Sequence, residues 1–84
     1  MDDVKELVGT IMRVLDNADI TEAEVLDLSF EAEGEALDAL NDAYIKLLEF
    51  VHDRELRLAD PDLDQQERTG LEGSLKRIVR LSEL

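Results

Sequence analysis

The sequence predicts an all-α fold, a small antiparallel bundle of three to four helices forming a single domain over residues 1–84. Three observations carry this reading. Apolar residues recur at i, i+3, i+4 and i+7 along most of the chain. Helix start signals, a capping box and a proline-led entry, stand between the apolar runs. The β-branched residues are few and scattered, and no five-residue run alternates cleanly. Hydrophobic residues make up 44% of the 84, more than a disordered acidic tail would carry. The chain therefore has a core, although a thin one, because a domain of this size removes only roughly 60% of its unfolded surface from water.

The first helix is defined by Val4, Leu7, Val8, Ile11, Val14 and Leu15, with Lys5, Glu6 and Arg13 pointing away. Asp2 and Asp3 stand where the helix dipole favours negative charge, and Asp16-Asn17-Ala18-Asp19 ends the run. The second start is fully punctuated. Thr21 is the N-cap, Glu24 completes a capping box, and Ile20 and Val25 occupy the two positions of a hydrophobic staple. Val25, Leu26, Leu28 and Phe30 then supply apolar surface.

Two readings remain open over Ser29–Glu35. A break near Gly34 gives a short second helix and a long middle helix from about 35 to 58. An unbroken helix from 22 to 58 would be roughly 55 Å long. Its stripe of Leu26, Phe30, Leu37, Leu40, Tyr44, Leu48 and Val51 could not be covered by an 84-residue monomer, so it would imply a homodimer. Helices of that length are rare in small domains, which favours the break. In either case Leu37, Leu40, Tyr44, Leu47, Leu48 and Val51 make the strongest core stripe. Pro61, flanked by Asp60 and Asp62, stops this helix and opens the last one, with Asp60 as N-cap and Pro61 at the first helical position. Leu71, Leu75, Ile78 and Val79 form its apolar face, and Lys76, Arg77 and Arg80 suit its C-terminus. Gly70 and Gly73 each weaken it by about 1 kcal/mol relative to Ala; they either permit a close helix crossing or mark fraying.

Charge is distributed unevenly. The formal net charge is −13, and the stretch Val14–Ile45 holds ten carboxylates without one Lys or Arg. The first 45 residues carry 13 acids against 2 bases, the remaining 39 carry 9 against 7. Such a surface repels nucleic acid and anionic lipid and attracts cationic protein surfaces. Nucleic-acid binding has no support, since no basic patch is interleaved with aromatics. The absence of Cys removes disulfides and thiolate metal sites. The opening Met1-Asp2-Asp3-Val4-Lys5-Glu6 lacks the pattern of a secretory signal, and nothing approaches 18 consecutive apolar residues. A cytoplasmic protein without membrane association is the expectation.

Three chemical motifs are suggested and each is incomplete. Glu49 and His52 have the Glu-x-x-His spacing of carboxylate-bridged di-iron bundles, which need two such motifs and two further Glu residues. A carboxylate/His metal site at Glu49 and His52 is thus a remote alternative, and the only His lacks a Ser or Cys partner for catalysis. Asp60-Pro61-Asp62-Leu63-Asp64 imitates the opening of a calcium loop, but Gln65 and Leu71 stand where Gly and a terminal acid are needed. Gly34-Glu35-Ala36-Leu37-Asp38 has Ala36 where an acyl carrier would need its attachment Ser, so carrier function does not follow.

What remains is the acid stripe. Glu31, Glu35, Asp38 and Asp42 repeat at helical spacing and share one face, with Asp27 at the same end and no cation spaced to neutralise them. Like charges so placed destabilise a helix by a few tenths of a kcal/mol per pair. The expectation is a non-enzymatic protein-binding module without a cofactor, of inhibitor, immunity or antitoxin type, that docks this face on a cationic protein partner. A structural homodimer is the alternative.

Overall fold

The computed structural model describes residues 3–31 and 33–82, all helix, turn or irregular chain, with no strand among them. Five helices occur: α1 (Asp3–Leu15), α2 (Glu22–Leu26), α3 (Gly34–His52), α4 (Arg54–Ala59) and α5 (Pro61–Ser82). Three are long and two span five and six residues, which is how a bundle expected to have three to four helices comes to have five. Asp2, expected at the start of the first helix, lies outside the described residues. No described helix is long and apolar enough to cross a membrane.

The start signals act as physical chemistry requires, with one exception. Thr21 Oγ1 accepts the Glu24 backbone N–H at 3.2 Å, and Ile20 and Val25 are both buried beneath that turn. The Glu24 carboxylate does not complete the box; it turns to Arg13 on α1 at 3.4 Å. Asp60 Oδ1 accepts the N–H groups of Asp62 and Leu63, capping α5 as the Asp-Pro pair demands.

The long middle helix is broken twice relative to its longest reading. α2 ends at Leu26, and α3 begins at Gly34 with φ +64°, a left-handed geometry that favours glycine. Phe30 meets Tyr44 edge-on with centroids 5.9 Å apart, so the intervening chain doubles back along the first turns of α3. The expected continuity to residue 58 also fails, because α3 stops at His52. Asp53 forms a turn at φ −87°, ψ 15°, where its N–H bonds the Glu49 carbonyl, and α4 starts immediately. Neither Gly nor Pro stands there. Tertiary contacts make the break, since Arg57 of α4 reaches back to donate to the Phe50 carbonyl at 2.8 Å.

α3 and α5 run antiparallel, with Lys46 and Asp42 meeting Ser74 while Glu49 and Asp53 lie beside Leu63 and Glu67. The core is built from Leu7, Ile11 and Val14 of α1, Ile20, Val25 of α2, Leu40, Leu47 and Phe50 of α3, and Leu71 and Ile78 of α5. On α3 the buried set is Ala39, Leu40, Ala43, Leu47 and Phe50. At 100° per residue this face is rotated about a quarter turn from the expected stripe. Tyr44, Leu48 and Val51 flank the core, and Leu37 is only half-buried. The two alanines are among the most buried residues of α3. On α5 Ser74 replaces the expected Val79 in the buried set, and Val79 is exposed. Gly70 and Gly73 do not fray the helix; an added Cβ at Gly70 would lie 3.9 Å from the Lys46 chain, and at Gly73 it would meet nothing.

Candidate protein-docking face

The acidic residues singled out from the sequence do not form one helical stripe. Asp27 is the C-cap of α2 and lines a shallow groove against α1, with Met12, Arg13, Glu24 and Leu28 nearby. Glu31 is exposed on the irregular chain that leads to α3, so it is not in register with any helix. Glu35, Asp38 and Asp42 do share a face of α3, and Glu35 lies in its first turn, where the dipole favours it. Ile45, one turn beyond Asp42 on the same face, is 54% exposed.

Asp42 departs most from expectation, because a cation does neutralise it. Lys46, one turn on, places Nζ 3.1 Å from Oδ2, and the buried Ser74 hydroxyl of α5 donates to the same oxygen at 3.0 Å. Lys46 also donates to Ser74 at 3.1 Å, closing a triangle that ties α3 to α5. Burial works to raise the pKa of Asp42, but the hydrogen bonds from Lys46 and Ser74, with the charges of Lys46 and Arg77, outweigh it and hold the carboxyl below its usual range. The expectation that no cation is spaced to neutralise the stripe fails here, because Lys46 stands four residues beyond Asp42 on the same helix. Asp42 is therefore a structural residue; Glu35 and Asp38 remain together on α3, while Asp27, Glu31 and Glu33 are exposed on the chain that precedes it. Among the described residues, none of these five takes part in an ion pair; the pairs engage Glu24, Asp42, Asp19, Asp64 and Glu72 instead.

At the opposite end of α3 the structure assembles two charge clusters that sequence reasoning missed. Asp64 bridges Arg57 and Arg68 at 2.8 Å each, Arg68 also donates to the Val14 carbonyl at 2.7 Å, and both guanidinium groups lie over the Phe50 ring, at 3.4 and 5.2 Å. The hydrogen bonds from the two arginines hold the Asp64 carboxyl below its ordinary value against the effect of burial. Beside this knot, Glu67 of α5 faces Asp53 and Glu49. Burial first, then the hydrogen bond and charge of Asp53, push Glu67 up to about 7, opposed by Arg57. One signal was available: Glu67 lies one turn from both Leu63 and Leu71, interrupting the inward stripe of α5. Arg57 and Asp64 carried none, since they meet across the junction of α4 and α5 at Asp60.

Glu49 and His52 gain no partners for metal chemistry. Among the described residues no group of three or more His, Cys, Asp or Glu side chains could hold a metal ion. The arrangement offers exposed carboxylates and charge networks that tie helices together. No family model, curated protein or solved structure matches the chain.

Proposed function

We propose that the chain is a non-enzymatic protein-binding module that presents the carboxylates of Asp27, Glu31, Glu33, Glu35 and Asp38 to a cationic protein partner, in the manner of a small inhibitor or immunity-type protein. One observation carries the reading. Among the described residues all five side chains are exposed and take part in no ion pair, whereas six ion pairs form elsewhere. Unneutralised charge of one sign steers a partner of the other sign and sets specificity more than raw affinity. Glu31 and Glu33 lie on irregular chain and can follow the contour of a partner, whereas Glu35 and Asp38 are fixed on α3. Ile45 adds an apolar contact beside them, the kind of central anchor that a charged rim surrounds.

The long-helix argument for a homodimer loses its premise, because the chain breaks near Gly34 and again at Asp53. The test of the docking reading is a capture experiment from host lysate, run in parallel with wild type and with E31K/E35K/D38K. The expected result is a basic protein retained by wild type, released by raising salt from 50 to 500 mM, and absent from the variant, whose helix content is unchanged. Retention of the same proteins by both, or capture insensitive to salt, overturns the reading.

A further inference from the structure

We propose that the Asp53 and Glu67 carboxyl groups share one proton and form a pH-sensitive latch that fastens the α3–α4 turn to α5. The two groups come from different elements and have no role in the acidic face. Asp53 forms the turn itself: its N–H bonds Glu49 at 2.8 Å, and its carbonyl accepts Arg57 N–H at 2.8 Å to start α4. Glu67 stands opposite on α5, and both line a pocket of about 370 Å³ with Lys46, Glu49, Leu63 and Gly70. Glu67 Oε1 is buried and has no hydrogen-bond partner in the structure. A buried carboxylate oxygen without a donor is unstable as an anion, and two carboxylates in hydrogen-bonding reach cannot both ionise without repulsion. A single proton resolves both, with Glu67 donating to the Asp53 carboxylate.

The surroundings do not supply a substitute for that proton. From α3, Glu49 adds a further negative charge, and Lys46 is committed to Asp42 and Ser74. From α4, Arg57 opposes protonation, but its guanidinium is already held by Asp64, by the Phe50 carbonyl and over the Phe50 ring. On α5, Arg68 is bound to Asp64 and the Val14 carbonyl, the uncharged group that α1 contributes here. The balance leaves Glu67 titrating near neutrality, at about 7. Below that pH the latch is closed. Above it the proton leaves to solvent, Glu49, Asp53 and Glu67 are all anionic, and Glu67 competes with Asp64 for Arg57. α4 is the element that yields, because none of its residues is buried.

Carbon-13 NMR of the Asp53 and Glu67 carboxyls between pH 4 and 9 tests the shared proton. Amide protection over residues 54–60, corrected for intrinsic exchange, tests the latch. One carboxyl of the pair is expected to titrate between about 6 and 8 rather than in the ordinary range near 4. Protection in α4 should fall several-fold from pH 5 to pH 8 while α1 stays unchanged. E67Q supplies a permanent donor to Asp53 and should abolish the pH response, and D53N should do the same from the other side. His52 adjoins Asp53 in the chain and has no part in the shared proton, so H52Q must retain the response. Titration of both carboxyls below about 5, an unaltered response in E67Q and D53N, or its loss in H52Q would overturn the proposal.

Discussion

Replacing Asp64 by Asn removes one negative charge from the point where four helices meet, with almost no change in side-chain shape. In the wild type the carboxylate holds Arg57 of α4 and Arg68 of α5 at 2.8 Å each, and Arg68 continues to the Val14 carbonyl of α1. Both guanidinium groups cover Phe50 of α3. An asparagine oxygen satisfies only one of them and leaves the other guanidinium without its counter-charge. Removing one partner of a fully buried pair destabilises by about 3–5 kcal/mol. Here the side chains are 9%, 22% and 27% exposed, so water recovers part of that loss and about 2–3 kcal/mol remains. For a domain of this length each kcal/mol lowers Tm by about 4–8 °C, so D64N should melt about 10–20 °C below wild type. Thermal melts followed by far-UV circular dichroism at pH 7 give the number, and a double-mutant cycle with R57A gives the coupling. The sign of the pH dependence provides a second check. The folded Asp64 carboxyl is held below its unfolded value, so its contribution is complete above about 4 and is lost as pH falls through the lower, folded value. The gap between wild type and D64N must therefore narrow in strong acid. A Tm change under about 2 °C, or additive effects in the cycle, would refute the idea that this carboxylate ties the bundle together.

Global stability should also respond to pH above the acid range. Glu67 is raised from 4.5 to about 7 in the folded chain, so the native state holds a proton that the unfolded state releases. Stability from this group is full below about 4.5, declines as pH rises, and levels off above about 7. Urea titrations of wild type should give a lower midpoint at pH 7.5 than at pH 5.5, and E67Q should flatten that difference. Two glycines should respond in opposite directions to alanine. Gly34→Ala places a side chain at φ +64° and should lose about 1 kcal/mol despite open space around it. Gly73→Ala, inside α5 and equally uncrowded, should gain about 0.5–1 kcal/mol. Chemical denaturation of the two variants beside wild type checks both signs.

The sequence showed local structure well and cross-helix structure poorly. Thr21, Ile20, Val25, Asp60 and Pro61 were readable because a cap or staple is decided within five residues of chain. The break near Gly34 was readable because a left-handed backbone position favours glycine. The break at Asp53 was not, since its cause is Arg57 reaching back to Phe50 and forward to Asp64. The rotation of α3 was missed for a related reason. Periodicity ranks large apolar residues first, whereas the small Ala39 and Ala43 are among the most buried residues of α3. The acidic face was half legible. Glu35 and Asp38 lie on one helix face as their spacing says, but Glu31 is not helical and Asp42 is engaged by Lys46 and Ser74. The Lys46 half of that engagement is an i, i+4 pair that spacing does show, whereas the Ser74 half comes from another helix, 32 residues away.

α4 is a connector tied to the rest of the chain chiefly by two arginines, Arg57 and the more exposed Arg54 that meets Asp19 at 3.4 Å, and it buries none of its residues. Leu56 and Leu58 project into solvent from it, 60% and 70% exposed. A segment so weakly committed to the interior is a natural graft point. A fluorophore-bearing loop or a short epitope inserted after Leu58 would report on the molecule from outside while the three long helices keep their mutual register.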